Sequence, residues 1–350
     1  MKGRKLRILY VGPAHTGTCR SRKDALVKLG HAVQVLNPDN FMRDSGLLYR
    51  VETKLQFGPG TILFNKRLLD IAVKNTFDWI WIDKNVFAFP GTIRKLADRG
   101  LFLVHHMTDD LLNPDQPLRH YRKAIPLIHV HLTSNIYNVQ ELINLGAPHA
   151  VQTHLGFDPE LCRPGGQAPV QREEFRSDVV FIGHWRKHID DFVLPAIKAG
   201  IDVKIWGDGW KKSPNKLFYV KNALFRSVSD KDYASILASA KIALCFLSHA
   251  NRNTSTGRSF EIPAVGTFML AERTEEHLSF YKEGEEAEFF SKPNEFMTKL
   301  NLYLKNHEER QQIALAGHRR AMTSGYTYFD RVSSDMKSVL PIFEKYCAQY

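Results

Sequence analysis

The sequence predicts an α/β protein built from two doubly wound parallel sheets, and three observations carry that prediction. Short apolar runs that end at glycine or in a polar loop alternate with segments of helical periodicity, the pattern of a parallel sheet with helices on both faces. The alternation stops over residues 155–177 and then restarts. At 350 residues the chain also exceeds what one hydrophobic core usually serves, so two domains are expected.

Taken in order, Arg7–Val11 (RILYV) reads as a buried strand closed by Gly12. Residues 19–29 read as a helix stopped by Gly30, and His31–Leu36 as the second strand. A helix is predicted near Ile62–Lys74, a strand at Trp79–Ile82, a helix at Thr92–Arg99 and a strand at Leu101–His106. Strand Ile128–Leu132, helix Ile136–Leu145 and the short strand Ala150–His154 complete the first half. The stretch 155–177 holds Gly, Pro and charge without periodicity and is read as the linker. Beyond it come strand Asp178–Ile182, a helix over 188–199, strand Asp202–Trp206, a helix over 230–239 and strand Lys241–Leu247. A helix opens near Gly257, Thr267–Ala271 is a strand, and the tail from Asn294 reads as helical. The domains are placed at 1–160 and 161–330, with 331–350 as a closing helix.

Composition excludes several classes. Twenty-two Phe, 12 Tyr and 5 Trp are too many aromatic residues for a disordered chain. No apolar run approaches the ~20 residues that span a bilayer. The basic start is followed by no apolar signal core, and Cys19, Cys162, Cys245 and Cys347 lack metal-ligand spacing; a cytoplasmic location is expected. The net charge is +11, with 48 Lys+Arg against 37 Asp+Glu. Residues 1–160 hold 21 against 14, net +7. Such an excess suits an anionic partner: nucleic acid, a membrane surface or phosphorylated molecules. Basic clusters at Lys2–Arg7, Arg20–Lys23, Arg43–Lys54 and Arg119–Lys123 also read, more plainly, as solvated faces.

Ligands of open parallel sheets sit beyond the carboxyl ends of the strands, so the strand-end loops carry the candidate chemistry. In SHANRNTSTGRSFE (248–261), Thr254, Ser255, Thr256 and Gly257 precede a helix whose free N–H groups and partial positive charge suit a diphosphate. Arg258 can add a forked contact, and Glu261, one turn on, can accept both hydroxyls of a ribose. The plainer alternative is a capped helix with an exposed Arg and Glu. Arg186, three residues beyond the strand-ending Gly183, can meet phosphate or be solvated. In GDGW (207–210), Gly207 and Gly209 let backbone approach a ligand, and Trp210 either packs on a base or sugar or fills the core beside a tight turn. In the first half, His15 can take a proton from an acceptor hydroxyl, and Asp109 and Asp110 can orient it or act as bases. An N-cap with surface charge explains the same HHMTDD segment.

Other patterns are set aside. His129-x-His131 has no third ligand beside it, and His184 with His188 lacks the Glu of a zinc-protease helix. Asp230-Lys231-Asp232 opens a helix and reads as its cap. There is no GxxxxGK[ST] loop, and GPAHTGTCRS is not a dinucleotide fingerprint.

An ordered set of segments resembles the GT-B glycosyltransferases, and within them the CgeB-like (spore-maturation type) group. These are KLGHAVQVL (28–36), FDWIWIDKN (77–85) with TDD (108–110), LTSNIYNVQELINLGA (132–147) and LGFDPELCRP (155–164). VVFIGHWR (179–186), VKIWGDGW (203–210), RSFEIPAVGTFMLAE (258–272), YKEGEEAEFFSKPNEF (281–296) and IALAGHRRAMTSGYTYFDRV (313–332) follow. The resemblance implies two Rossmann-like domains facing across a cleft, with the last helix crossing back to the first. It implies a nucleotide-sugar donor in the second domain, a hydroxyl acceptor in the first, and no obligatory metal or cofactor. Glu261 would bind the ribose, Arg258 and Arg186 the diphosphate, and Trp210 would lie near the nucleotide, with Gly183, Gly207, Thr256 and Gly257 completing the donor-binding candidates; His15, Asp109 or Asp110 would supply the base. The sequence departs from the pattern at Asn253, where many retaining enzymes carry a second Glu, and at Asp191, where a phosphate-binding Lys is usual. A nucleotide-sugar epimerase of the same fold and a basic nucleic-acid-binding module are the rival readings. The charge points to an acidic or phosphorylated acceptor (a glycan, a lipid-linked molecule or DNA) and to peripheral contact with an anionic membrane at its inner face.

Overall fold

The computed structural model describes residues 4–42, 47–84, 87–113, 119–163, 172–220, 228 and 230–349. Arg43, Asn85, residues 164–171 of the expected linker, and the side chains of Arg119, Asp230 and Lys231 lie outside what it describes. The chain divides into two compact units. One comprises Met1–His154, Ala250–Arg252 and Tyr328–Tyr350; the other comprises Leu155–His249 and Asn253–Thr327.

The first unit runs β1 (Arg7–Val11), α1 (Gly17–Lys28), β2 (Ala32–Leu36), α2 (Leu47–Leu55), α3 (Pro59–Lys74), β3 (Trp79–Asp83), α4 (Pro90–Ala97), β4 (Phe102–Met107), α5 (Arg119–Ala124), β5 (Val130–Thr133), α6 (Ile136–Asn144) and β6 (Ala150–Gln152). The second runs β7 (Ser177–Ile182), α7 (Asp190–Lys198), β8 (Val203–Trp206), α8 (Lys216–Tyr219), α9 (Asp230–Ala238), β9 (Ala240–Cys245), α10 (Arg258–Val265), β10 (Phe268–Glu272), α11 (Glu275–Phe280), β11 (Glu288–Phe290), α12 (Pro293–Lys305) and α13 (His307–Thr323). The last helix, α14 (Tyr328–Cys347), belongs to the first unit and packs on α1.

Among the described residues each sheet is wholly parallel. The first has the order β2-β1-β3-β4-β5-β6, the second β11-β10-β9-β7-β8. The strand order reverses at β1/β3 in one and at β7/β9 in the other, and such switch points are where doubly wound sheets hold ligands.

The near-continuous apolar strands are explained by burial on both faces. In the first unit Ile8, Tyr10, Trp79, Trp81 and Phe102 pack with Val332, Met336, Val339 and Phe343 of α14. Their neighbours Leu9, Val11, Ile80, Ile82 and Leu103 pack on the other face with Phe64 and Leu68 of α3 and Ile93 and Leu96 of α4. In the second unit Val180, Ile182, Cys245 and Met269 meet Phe260 and Ile262 of α10, while Val179, Phe181, Leu244 and Leu270 meet Phe192 of α7 and Phe296 and Leu300 of α12.

Two expectations change. The basic cluster Arg20–Lys23 is not an open cationic face. Arg22 is buried, with its guanidinium forked onto Asp83 (Nε–Oδ2 2.7 Å, Nη2–Oδ1 2.8 Å), and the Tyr10 hydroxyl also donates to that carboxylate. Arg20 and Lys23 both pair with Asp24. The helical tail is also not continuous: the Asn306 side chain caps α13 by accepting from the Glu309 N–H, and Gly325, with φ 73°, lies in the turn before α14.

Candidate active site

In the second unit, Arg258 at the start of α10 reaches the ends of β7 and β9, and the turns after β7 and β8 meet at Gly183 and Gly207. Gly207 has φ 128°, and a Cβ there would stand 2.5 Å from the Gly183 carbonyl oxygen, so two glycines are needed where the ends of β7 and β8 meet. Trp210 does not pack on a ligand. It is fully buried, donates its indole N–H to the Gly183 carbonyl (2.9 Å), and sits edge-on to Phe181 and Tyr219. A Trp whose N–H finds an acceptor in the core is satisfied there, so its role is to fix the turn. Arg186 is exposed, and with His184, Asp208, Gly209 and Lys212 it borders an open depression of about 540 Å³.

At α10, the Thr256 N–H is taken by the Ser259 hydroxyl (3.0 Å), whereas the first helical N–H groups, at Gly257 and Arg258, have no intrahelical acceptor. Arg258 departs from its expected place on a diphosphate. Its two terminal nitrogens donate to the carbonyls of Ile182 and Phe246, 3.0 Å each, and its guanidinium lies over the Phe181 ring. It ties together the strand ends at the switch point. Glu261 stands in the first turn of α10, half-buried, and accepts a 2.6 Å hydrogen bond from the Tyr233 hydroxyl of α9. A Cβ on Gly257 would approach Glu261 Oε1 to 3.1 Å, so glycine keeps the helix start open beside the carboxylate. Tyr233 is a positioning residue that sequence reasoning missed; a lone aromatic 28 residues away gives no local signal.

In the first unit, His15 is exposed in the loop after β1, and its Nδ1 is 3.0 Å from Asn37 Nδ2. The Asn37 amide oxygen accepts from the Asp39 N–H, so its NH2 faces the ring and donates to Nδ1. A neutral His15 then carries its proton on Nε2, which makes the outward nitrogen a donor rather than a base. Asp110 is buried and fully engaged, accepting from Arg252 Nε (2.6 Å), Asn138 Nδ2 (2.9 Å) and the Leu112 N–H (3.2 Å). Arg252 also makes a bidentate pair with Glu141 (2.7 and 2.8 Å), which holds that carboxyl below its usual range. Asp110 therefore ties its loop to Arg252 and Asn138. Asp109 remains exposed, in contact with Asn251 Nδ2 at 3.3 Å. Lys84, just beyond β3, is exposed in left-handed backbone (φ 56°).

One group of described side chains brings metal-ligating atoms together: His188, His249 and Glu272, at the ends of β7, β9 and β10. The sequence places His188 four residues from His184, whereas its neighbours in the fold come from two other strand ends.

Two doubly wound parallel sheets of this order define the GT-B class, and comparison with solved structures agrees across the chain. HepE from Anabaena, solved with UDP, is similar with 13% identity and a TM-score of 0.64, over 96% of this chain and 100% of that one. The catalytic domain of starch synthase IV from Arabidopsis thaliana, bound to ADP and acarbose, is similar with 11% identity and a TM-score of 0.68, over 99% and 100%. A structure described as a putative UDP-N-acetylglucosamine 2-epimerase from Listeria monocytogenes gives 12% identity and a TM-score of 0.56, over 98% of each chain. Residues 186–335 match the family described as "Glycosyl transferase-like". No curated protein sequence matches the chain. Together these comparisons show the GT-B fold across the chain, with the likeness to a glycosyl transferase family confined to residues 186–335.

Proposed function

We propose that this chain is a glycosyltransferase of CgeB-like type. It moves a hexose from a nucleoside-diphosphate sugar held by the second unit to a hydroxyl acceptor held by the first. The observation that carries the reading is Glu261: a carboxylate in the first turn of α10, oriented by Tyr233, beside two N–H groups without intrahelical acceptors. A ribose can donate both hydroxyls to that carboxylate while the diphosphate meets the helix start and Arg186. Asp109 accepts the proton of the acceptor hydroxyl, and His15 offers its Nε2–H to a nearby oxygen. Charge on the leaving diphosphate is met by protein groups, so the transfer step needs no metal. The net +7 over residues 1–160 supports an acidic or phosphorylated acceptor, including one presented at an anionic membrane face.

The epimerase-like neighbour favours one second reading, interconversion of the sugar nucleotide without an acceptor. A melting-temperature screen of uridine, adenosine, guanosine and thymidine diphosphates and their sugars identifies the donor. The transferase reading expects one nucleotide series to stabilise the protein, with the sugar nucleotide unchanged until an acceptor is added. Conversion of the donor to its epimer in the absence of acceptor would establish the rival.

A further inference from the structure

Three strand ends of the second unit, those of β7, β9 and β10, each deliver one ligating side chain to one point. His188 follows β7, His249 follows β9, and Glu272 is the last residue of β10. These strands are neighbours around the β7/β9 switch point. Their ligating atoms all lie within 4.8 Å of one another. His249 Nε2 is 2.6 Å from Glu272 Oε2, and His188 Nε2 is 3.6 Å from Glu272 Oε1. The two imidazoles stack nearly parallel, 3.9 Å between centroids and 16° between planes, with both Nε2 atoms near the same carboxylate.

Two further features argue for a ligand. His188 Nε2 is buried and makes no hydrogen bond. The carboxylate is held from behind, because Glu272 Oε1 accepts from the Leu247 N–H at 2.7 Å.

We propose that His188, His249 and Glu272 form a binding site for a divalent transition-metal ion of the zinc class. Two imidazole nitrogens and one carboxylate oxygen suit zinc and its neighbours, whereas magnesium and calcium favour all-oxygen shells. Ligands about 2.0–2.2 Å from a tetrahedral ion stand roughly 3.3 Å apart. The His188–Glu272 spacing already fits; the His249–Glu272 contact has to open by under ~1 Å, and the exposed His249 ring has to turn out of its stack on His188 so that both in-plane Nε2 lone pairs meet the ion. The His249 side chain is 58% exposed, which leaves the fourth position open to water or a ligand oxygen. The site goes beyond the transferase reading and does not depend on it, and the transfer chemistry is not routed through the ion.

The test uses the full, untagged chain, stripped with chelator, desalted and titrated with CoCl2 and then ZnCl2 alone. The expected result is a visible cobalt absorption band saturating at one equivalent and abolished by zinc. His249→Gln, at an exposed position, keeps the melting temperature and lowers ion affinity at least tenfold; His188→Gln lowers it similarly. His184→Gln, in the same loop, keeps wild-type affinity. Absence of cobalt binding in the wild type, equal binding by His249→Gln, or loss of binding in His184→Gln would overturn the site and leave a hydrogen-bonded His–Glu cluster.

Discussion

Asp109 and Asp110 are adjacent in sequence and opposite in fate. Asp110 is tied to Arg252, 142 residues away, while Asp109 keeps an exposed carboxylate. Asp109→Asn should therefore lower transfer by roughly 10²–10⁴-fold, the usual size of a general-base contribution, and leave nucleotide affinity unchanged. A steady-state assay that finds transfer intact would place the base elsewhere. Nothing local to TDD distinguishes the two residues, because the guanidinium that claims one of them arrives from a distant segment. Trp210 and Arg258 carry the same lesson. Their residue types suit ligand contact, and their loops are where the fold predicts, but the Gly183 carbonyl takes the Trp210 N–H and the Ile182 and Phe246 carbonyls take the two terminal nitrogens of Arg258. Glu261 was legible because its position, one turn into a helix after small polar residues, is itself local.

At the scale of elements, the strands were legible. Arg7–Val11 is observed with the predicted bounds, and the others shift by a residue or two, because apolar runs ending at glycine need no distant partner to be read. Helix α2, three-residue β11 and the short helices α5, α8 and α11 were not read. All but the nine-residue α2 are shorter than about two periods of any pattern. The glycine-rich strand ends give a prediction at this scale. Gly207→Ala adds a Cβ 2.5 Å from the Gly183 oxygen in left-handed backbone and should cost about 1–3 kcal/mol of stability. Gly200→Ala also has positive φ (80°) but meets nothing within 4 Å, and should cost about 1 kcal/mol at most. Urea denaturation of the two variants separates steric clash from backbone strain; equal losses would contradict the close β7–β8 approach.

Across the whole molecule, burial of histidine sets the response to acid. Burial pushes His106 down to about 3, with the Arg22 charge assisting, and pushes His131 down to about 4; His105 lies well below its ordinary value for the same reason. Unfolded imidazoles titrate near 6.5, so the folded state binds fewer protons below that pH. The stability these groups contribute is present above about pH 6.5 and is lost as pH falls toward 4. Burial pushes Asp335 up to about 7, which acts in the opposite sense: the folded state retains a proton that the unfolded chain releases near 4, so this group costs stability as pH rises from 4 to 7. Three imidazoles outweigh one carboxyl, so the urea midpoint should fall from pH 6.5 to 4.5, and Asp335→Asn should steepen that fall. A flat profile would contradict the neutral buried histidines. The net charge of +11 is equally a property of the whole chain, and structure changes its reading: Arg22 is spent on Asp83, and Arg20 and Lys23 share Asp24, so the excess resides outside that cluster.

The most direct test of the central claim is calorimetric titration of the stabilising nucleoside diphosphate into the wild type and Glu261→Ala. Two charge-assisted ribose hydrogen bonds are each worth about 1.5–3 kcal/mol, so the variant should bind at least tenfold more weakly while retaining its fold. Unchanged nucleotide affinity in Glu261→Ala would contradict the account.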